Sequence, residues 1–287
     1  MDTKISAINA IRNQLKRYGV ILALGVAAGI IILVVVLPGA GIAVLAATLL
    51  FYLFVFRRRL RDCHQLEKQT MLEEGLRPFL KDISYQPKGG LDTEALIQAK
   101  FLPVEHIRSM LACDCIHATY QAMPVILSDL TVDCLSEPDK GSKKLDFLSG
   151  SYFEIRLARD TGSEYLLWPK TFPGKPVLDH YYPGRACVPA PGELREDFQV
   201  YTTNGQDVPE IPSNVVKAIL RLNEYTPGTL AVQVSGAVLR IFIRYRFLCT
   251  AVIPLKTEIS AKLLSYNPYP ETTYLLRIAD AFHQIEK

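Results

Sequence analysis

From Gly19 to Phe56 the chain runs 38 residues without a single charge. Continued as one helix, that stretch would be about 57 Å long, nearly twice the ~30 Å hydrocarbon core of a bilayer. It therefore has to break, and Pro38-Gly39-Ala40-Gly41 is where Pro and Gly together favour a turn. The expected result is a helical hairpin with apolar arms over about 19–37 and 40–56, joined by a four-residue turn. A cleaved signal peptide does not fit, because its apolar region would stand alone at about 7–15 residues. A re-entrant hairpin that dips into the membrane without crossing stays open, since the second arm is short.

Charge is distributed to match. Residues 1–18 carry Lys4, Arg12, Lys16 and Arg17 against Asp2, and Arg57, Arg58, Arg59 and Arg61 follow the apolar run. The turn between the arms carries none, so the positive-inside bias puts the N-terminus and everything after Arg57 in the cytosol. From Asp62 onward there are 24 basic and 28 acidic residues, leaving the large domain mildly acidic. A nucleic-acid binder would carry its positive charge on that domain, so this class is set aside. A reducing cytosol also argues against disulfides among Cys63, Cys113, Cys115, Cys134, Cys187 and Cys249.

Beyond the hairpin (residues 1–61 with its basic flanks) the pattern predicts a helical connector over 62–104 and an α+β domain over 105–287. Arg57 to about Glu74 reads as a helix continuing out of the membrane, and Asp92 as the N-cap of a short helix over Glu94–Lys100. Strands are expected at Ser109–Thr119, Val125–Cys134, Tyr152–Ala158 and Glu164–Trp168, the last two as a hairpin around Asp160-Thr161-Gly162. Residues 169–192 hold six prolines and read as a long loop. Phe198–Thr202 is a strand, Ile211–Asn223 a helix, Leu230–Ser235 and Val238–Ile243 a hairpin through Gly236-Ala237, and Glu271–Ile285 a last helix. Strands and helices without regular alternation point to α+β, not to a doubly wound sheet.

Several short motifs punctuate this order: Asp114 within Cys113-Asp114-Cys115, then Ser128-Asp129-Leu130, Phe147-Leu148-Ser149-Gly150 and Phe198-Gln199-Val200-Tyr201. In sequence and spacing they resemble a bacterial family of membrane proteins catalogued as domain of unknown function three-one-three-seven, over most of residues 15–285. The chain departs from that pattern at Asp207-Val208-Pro209-Glu210 and in lacking a glycine soon after Asp114. The resemblance implies a two-span hairpin carrying a cytosolic α+β domain in a bacterial inner membrane, and a membrane-protein partner, LemA-like by genomic association of the family. It implies no activity.

The candidate chemistry is sparse. Cys113, Cys115 and His117 lie at i, i+2 and i+4, which on a regular strand puts them on one face as Zn-type ligands, with Cys134 or Cys63-His64 as a fourth. Buried thiols on a sheet face explain the same residues. Asp160-Thr161-Gly162 copies one aspartic-protease triplet, but that chemistry needs two, and Asp and Gly belong in turns for backbone reasons alone. Arg240 and Arg244 share a strand face with Phe242, a surface for anionic headgroups or an acidic partner, or simply a solvated face. His180, Tyr181 and Tyr182 are aromatic anchors in the proline-stiffened loop, suited to recognition or to covering a sheet edge. Arg57, Arg58, Arg59 and Arg61 suit anionic lipid. Gly25, Ala28 and Gly29 form a small-residue stripe that would let two hairpins associate.

These observations lead to a membrane-anchored interaction or adaptor module binding another membrane or envelope protein, with no cofactor or metal expected. The alternative is an enzyme acting on a lipid or membrane-bound substrate, with Asp114, Cys113, Cys115 and His117 as the residues to suspect.

Overall fold

The computed structural model describes residues 2–102, 107–136, 144–170, 185–203, 210–249 and 253–284. The chain forms two compact units, Met1–Gly75 with Cys249–Pro268, and Leu76–Leu248 with Tyr269–Lys287. The protein is mixed α+β: two long apolar N-terminal helices and a sheet domain.

In the first unit, α1 (Asp2–Ile31) continues as a π-helical turn over Ile32–Val36. The break that follows is one residue long. Leu37 is extended (φ −152°, ψ 114°), and Pro38 opens α2 (Pro38–Phe51) at the position where a missing N–H costs nothing. The expected four-residue turn is thus the first turn of the second helix, and α2 runs through Tyr52–Phe56 into α3 (Arg57–Leu76) without interruption.

The glycines make the hairpin close. A Cβ on Gly41 would stand 2.4 Å from the Leu33 backbone, and one on Gly25 or Gly29 would lie 2.6 Å from the side chains of Thr48 or Leu45. Gly25 and Gly29 therefore serve the close approach of the hairpin's own arms, while Ala28 of the same stripe is exposed. Val34, Val35 and Phe54 point outward, each more than 70% exposed. Such apolar exposure has no counterpart on an ordinary soluble surface.

Beyond the apolar run the two helices stay paired. Arg12 is buried, its guanidinium bonded to the buried Glu67 carboxylate and to the carbonyls of Pro254 and Thr257, the last at 2.9 Å. Asn9 exchanges two bonds with the Ile259 backbone. Ile8, Met71, Ile253, Ile259 and Leu264 form a small apolar core around these bonds. The segment that contains Pro254 and the short helix Ala261–Leu264 thus belongs with the N-terminal helices.

The second unit holds a nine-stranded antiparallel sheet among its described residues, in the order β1-β2-β3-β4-β9-β8-β5-β7-β6. The strands are β1 (Lys81–Lys88), β2 (Ile107–Tyr120), β3 (Met123–Ser136), β4 (Lys144–Arg156), β5 (Glu164–Pro169), β6 (Arg185–Pro189), β7 (Phe198–Thr203), β8 (Leu230–Ser235) and β9 (Val238–Arg244). One face packs against Leu96 of the short helix α4 (Thr93–Gln98), capped by Asp92 at 2.9 Å, and against Phe101 and Leu102 just after it. On the other face Phe153, Ile155, Leu167 and Ile241 are buried as well. There α5 (Ser213–Tyr225) and α7 (Thr272–His283, with Ala261–Leu264 as α6) turn their apolar sides inward.

Three sequence expectations change. β4 and β5 are not a hairpin, because β4 pairs with β9 and β5 with β7 and β8. Residues 157–163 are instead a crossover. Part of the proline-rich stretch is ordered as the edge strand β6, where a proline at the end removes no ladder bond that a neighbour needs. β1 is an unforeseen strand, since its Lys81-Asp82 start and Pro87 blur the alternation.

Candidate functional site

The richest concentration of polar groups in the sheet sits on a bulge. Cys113 pairs with Asp129 and Ile116 with Leu127, so one extra residue is inserted in β2, and Asp114 takes φ 54°. Aspartate tolerates that left-handed geometry better than most side chains. Ser128 across the ladder donates to the Cys113 carbonyl at 3.1 Å, satisfying an acceptor that the bulge displaces.

A one-residue bulge reverses the alternation of side chains beyond it. Ala112 faces the core beside Leu130, whereas Ile116 pairs with Leu127 on the opposite face. Cys113 and Cys115 therefore lie on different faces, which corrects the reading of Cys113, Cys115 and His117 as one ligand set. Cys115 and His117 stay together, with Sγ 3.5 Å from Nε2, and that nitrogen lies 2.8 Å from the Gly90 carbonyl. Burial pushes the Cys115 thiol up to about 11, a poor nucleophile and a poor ligand at neutral pH. Cys63 belongs to the first unit, where its thiol donates to Glu67 at 3.3 Å, and the Cys134 side chain lies outside the described residues.

What the bulge assembles instead is Cys113, Asp114 and Asp129, whose ligand atoms all lie within 4.8 Å of one another. These are the residues that would hold a cation here. Each acid also has a structural task. Asp114 Oδ1 accepts from the Tyr85 hydroxyl at 2.5 Å, tying β1 to the bulge, and Asp129 Oδ1 accepts from the Leu248 N–H at 2.8 Å, fixing the chain after β9. Ser151, next to Asp129 in the ladder, shares a 2.5 Å bond with the buried Tyr269 hydroxyl. Asp129 was not singled out as chemistry in the sequence, although the Ser128-Asp129-Leu130 motif contained it. The remaining motifs are structural too. A Cβ on Gly150 would stand 2.1 Å from the Ile243 carbonyl, and Phe198, Val200 and Tyr201 are core residues.

The basic strand is not an open surface. Phe242 is fully buried, and Arg240 bonds to Glu154 at 3.0 Å and to Gln233 at 3.2 Å, with Gln233 holding the Ala99 carbonyl at 2.9 Å. This network ties the α4 segment to the sheet, which corrects the expectation of a docking face there. Arg244 stacks on the Tyr245 ring at 4.4 Å. Arg57, Arg58, Arg59 and Arg61 are exposed at the start of α3, directly after the apolar run. His180, Tyr181 and Tyr182 lie outside the described residues.

A separate cleft of about 310 Å³ opens at the 157–163 crossover, lined by Leu157, Arg159 and Ser163 of the crossover, by Tyr165 of β5, by Met123 at the start of β3, by Glu210 and Pro212 before α5, and by Phe282 and His283 at the end of α7. Apart from the Asp160-Thr161 turn, its residues carry no functional signal in the sequence, because four separate chain segments contribute to it.

Fold and site together define an α+β sheet protein joined to an apolar helical hairpin. Comparison with protein-family models, with characterised proteins and with solved structures returns no match.

Proposed function

We propose that this chain is a membrane-anchored binding module whose apolar hairpin crosses a bacterial inner membrane with both ends cytosolic. Its sheet domain then works at that face as an adaptor for another membrane or envelope protein. The observation that carries the reading is the hairpin itself: two helices of 34 and 39 residues whose most apolar windows are only 6% buried. The arginines after the run favour the cytosolic orientation. Anchoring confines domain and partner to one surface, so that modest contacts give high occupancy. A LemA-like membrane protein, implied by the family resemblance, is the first partner to look for.

The test is crosslinking of the tagged full-length protein in native membranes, followed by mild-detergent purification and mass spectrometry. A stoichiometric second protein supports the adaptor reading. A self-only species at every crosslinker length would overturn it. Cysteine accessibility from each side of the membrane, with probes placed at Gly39 and after Arg61, checks the orientation independently.

A further inference from the structure

The helices α5 and α7 carry side chains on their outer side that packing against the sheet does not call for. Asn214 Nδ2 donates to the Ala281 carbonyl at 2.8 Å, near the start of one helix and the end of the other. At the opposite end Tyr225 stacks on Tyr274, with ring centroids 5.1 Å apart and planes at 21°, so the helices lie antiparallel and side by side. Their apolar sides face inward, which leaves Lys217, Arg221 and Tyr225 exposed along α5 at i, i+4 and i+8. Arg277 is exposed on α7, one turn on from Tyr274.

Rings and guanidiniums order one another here. Arg277 lies 5.8 Å from the Tyr274 ring centroid, and Arg246, just after β9, lies 5.7 Å from that of Tyr225. Stacking occupies the flat face of a guanidinium and leaves free the N–H edge that grips a carboxylate with two bonds. Arg246 gives its Nε to the buried Glu271 carboxylate at 3.5 Å. Lys217, Arg221 and Arg277 make no ion pair among the described residues, and neither does the exposed Glu224 beside Arg221. A pre-ordered aromatic pair rimmed by guanidiniums has the composition of an interface hot spot, and little rotamer freedom is left to lose on binding.

We propose that this outer side of α5 and α7 binds an acidic segment of a protein partner. Carboxylates of that segment meet Arg221 and Arg277, and an apolar or aromatic side chain covers the Tyr225–Tyr274 pair. The proposal rests on the adaptor reading above and names the surface that reading uses. An extended polyanion, such as nucleic acid or an anionic bilayer, is disfavoured. The chain from Asp62 onward holds 28 acidic against 24 basic residues, and that field repels a long negative surface while a short acidic segment meets only the local cations.

The experiment uses the full-length protein in native membranes, with a photo-crosslinking amino acid at Lys217 and, in a separate control, at the exposed Leu111 of β2. The expected result is an adduct with a second protein from Lys217 and not from Leu111, with the crosslinked peptide rich in Asp and Glu. Its yield should fall at least about tenfold in Arg221→Glu combined with Arg277→Glu, while the melting temperature stays within a few degrees of the parent, because both side chains are exposed. Glu224→Lys adds charge to the same face without touching these arginines, and should raise the salt concentration at which the adduct is lost. An adduct from Leu111 alone overturns the proposal and leaves the adaptor reading standing. So does a crosslinked peptide without an excess of acids, a yield indifferent to the double reversal, or a salt dependence unmoved or weakened by Glu224→Lys. An adduct with phospholipid, with nucleic acid or with a second copy of this chain overturns it as well. No protein adduct from either position overturns both the surface and the adaptor reading.

Discussion

Replacing Arg12 by alanine should release the 253–268 segment from the N-terminal helices. The Arg12 and Glu67 side chains are only 2% and 4% exposed, and the guanidinium also serves two backbone carbonyls. Removing one member of a buried pair typically costs about 3–5 kcal/mol, because the other charge stays behind without compensation. Here the carbonyls of Pro254 and Thr257 lose their donor as well. The loss falls on one docked segment, so amide hydrogen exchange of residues 253–268 in nanodiscs reads it as local opening. Protection there should drop by roughly two to nearly four powers of ten at 1.4 kcal/mol per decade. Arg12→Leu combined with Glu67→Leu should recover part of the loss, since no buried charge is then stranded. Protection in Arg12→Ala within about threefold of the parent would refute the reasoning and mean that the pair is effectively hydrated.

Alkylation at pH 8 followed by peptide mapping should label the exposed Cys187 first and Cys115 only on unfolding, because burial holds the Cys115 thiol at about 11. Alkali should destabilise the sheet domain in a defined window. Tyr120 is raised to about 12 by burial and by its bond to Asp280, and burial also raises Tyr152, Tyr165 and Tyr269. Unfolded tyrosines ionise near pH 10, so this stabilisation is complete below about pH 10 and is lost as pH rises through about 12. A urea midpoint that stays flat or rises across that window contradicts the assignment. Gly150→Ala should cost about 1–3 kcal/mol in urea unfolding, because its Cβ would meet the Ile243 carbonyl at 2.1 Å and push β4 from β9.

Local signals were legible in the sequence and long-range ones were not. The uncharged run, the Asp92 cap, the β8–β9 hairpin and the faces of α5 and α7 all follow from neighbours within a few residues. Periodicity reports which face a residue occupies, but not which strand lies beside it, so β4 appeared to pair with β5 when its partner is β9. The β2–β3 turn was missed because Gln121 and Ala122 adopt φ of 48° and 67° without the usual Asn or Gly. At the candidate site a single inserted residue was enough to part Cys113 from Cys115, and nothing in Cys-Asp-Cys signals an insertion. The acid that Asp114 does meet, Asp129, lies on the next strand.

The Arg12 clamp also imposes an order of events on biosynthesis. Arg12 and Pro254 are separated by 242 residues, which a ribosome adding about 5–20 residues per second covers in roughly 10–50 s. For most of that interval the hairpin, which ends at Phe56, is already complete while Arg12 still lacks two of its acceptors. On the proposed topology, a hydrated Arg12 then belongs to the cationic flank that the insertion machinery would read, and it becomes an interior residue only once the 253–268 segment arrives. On that reading one side chain serves first as an address and afterwards as a fastening.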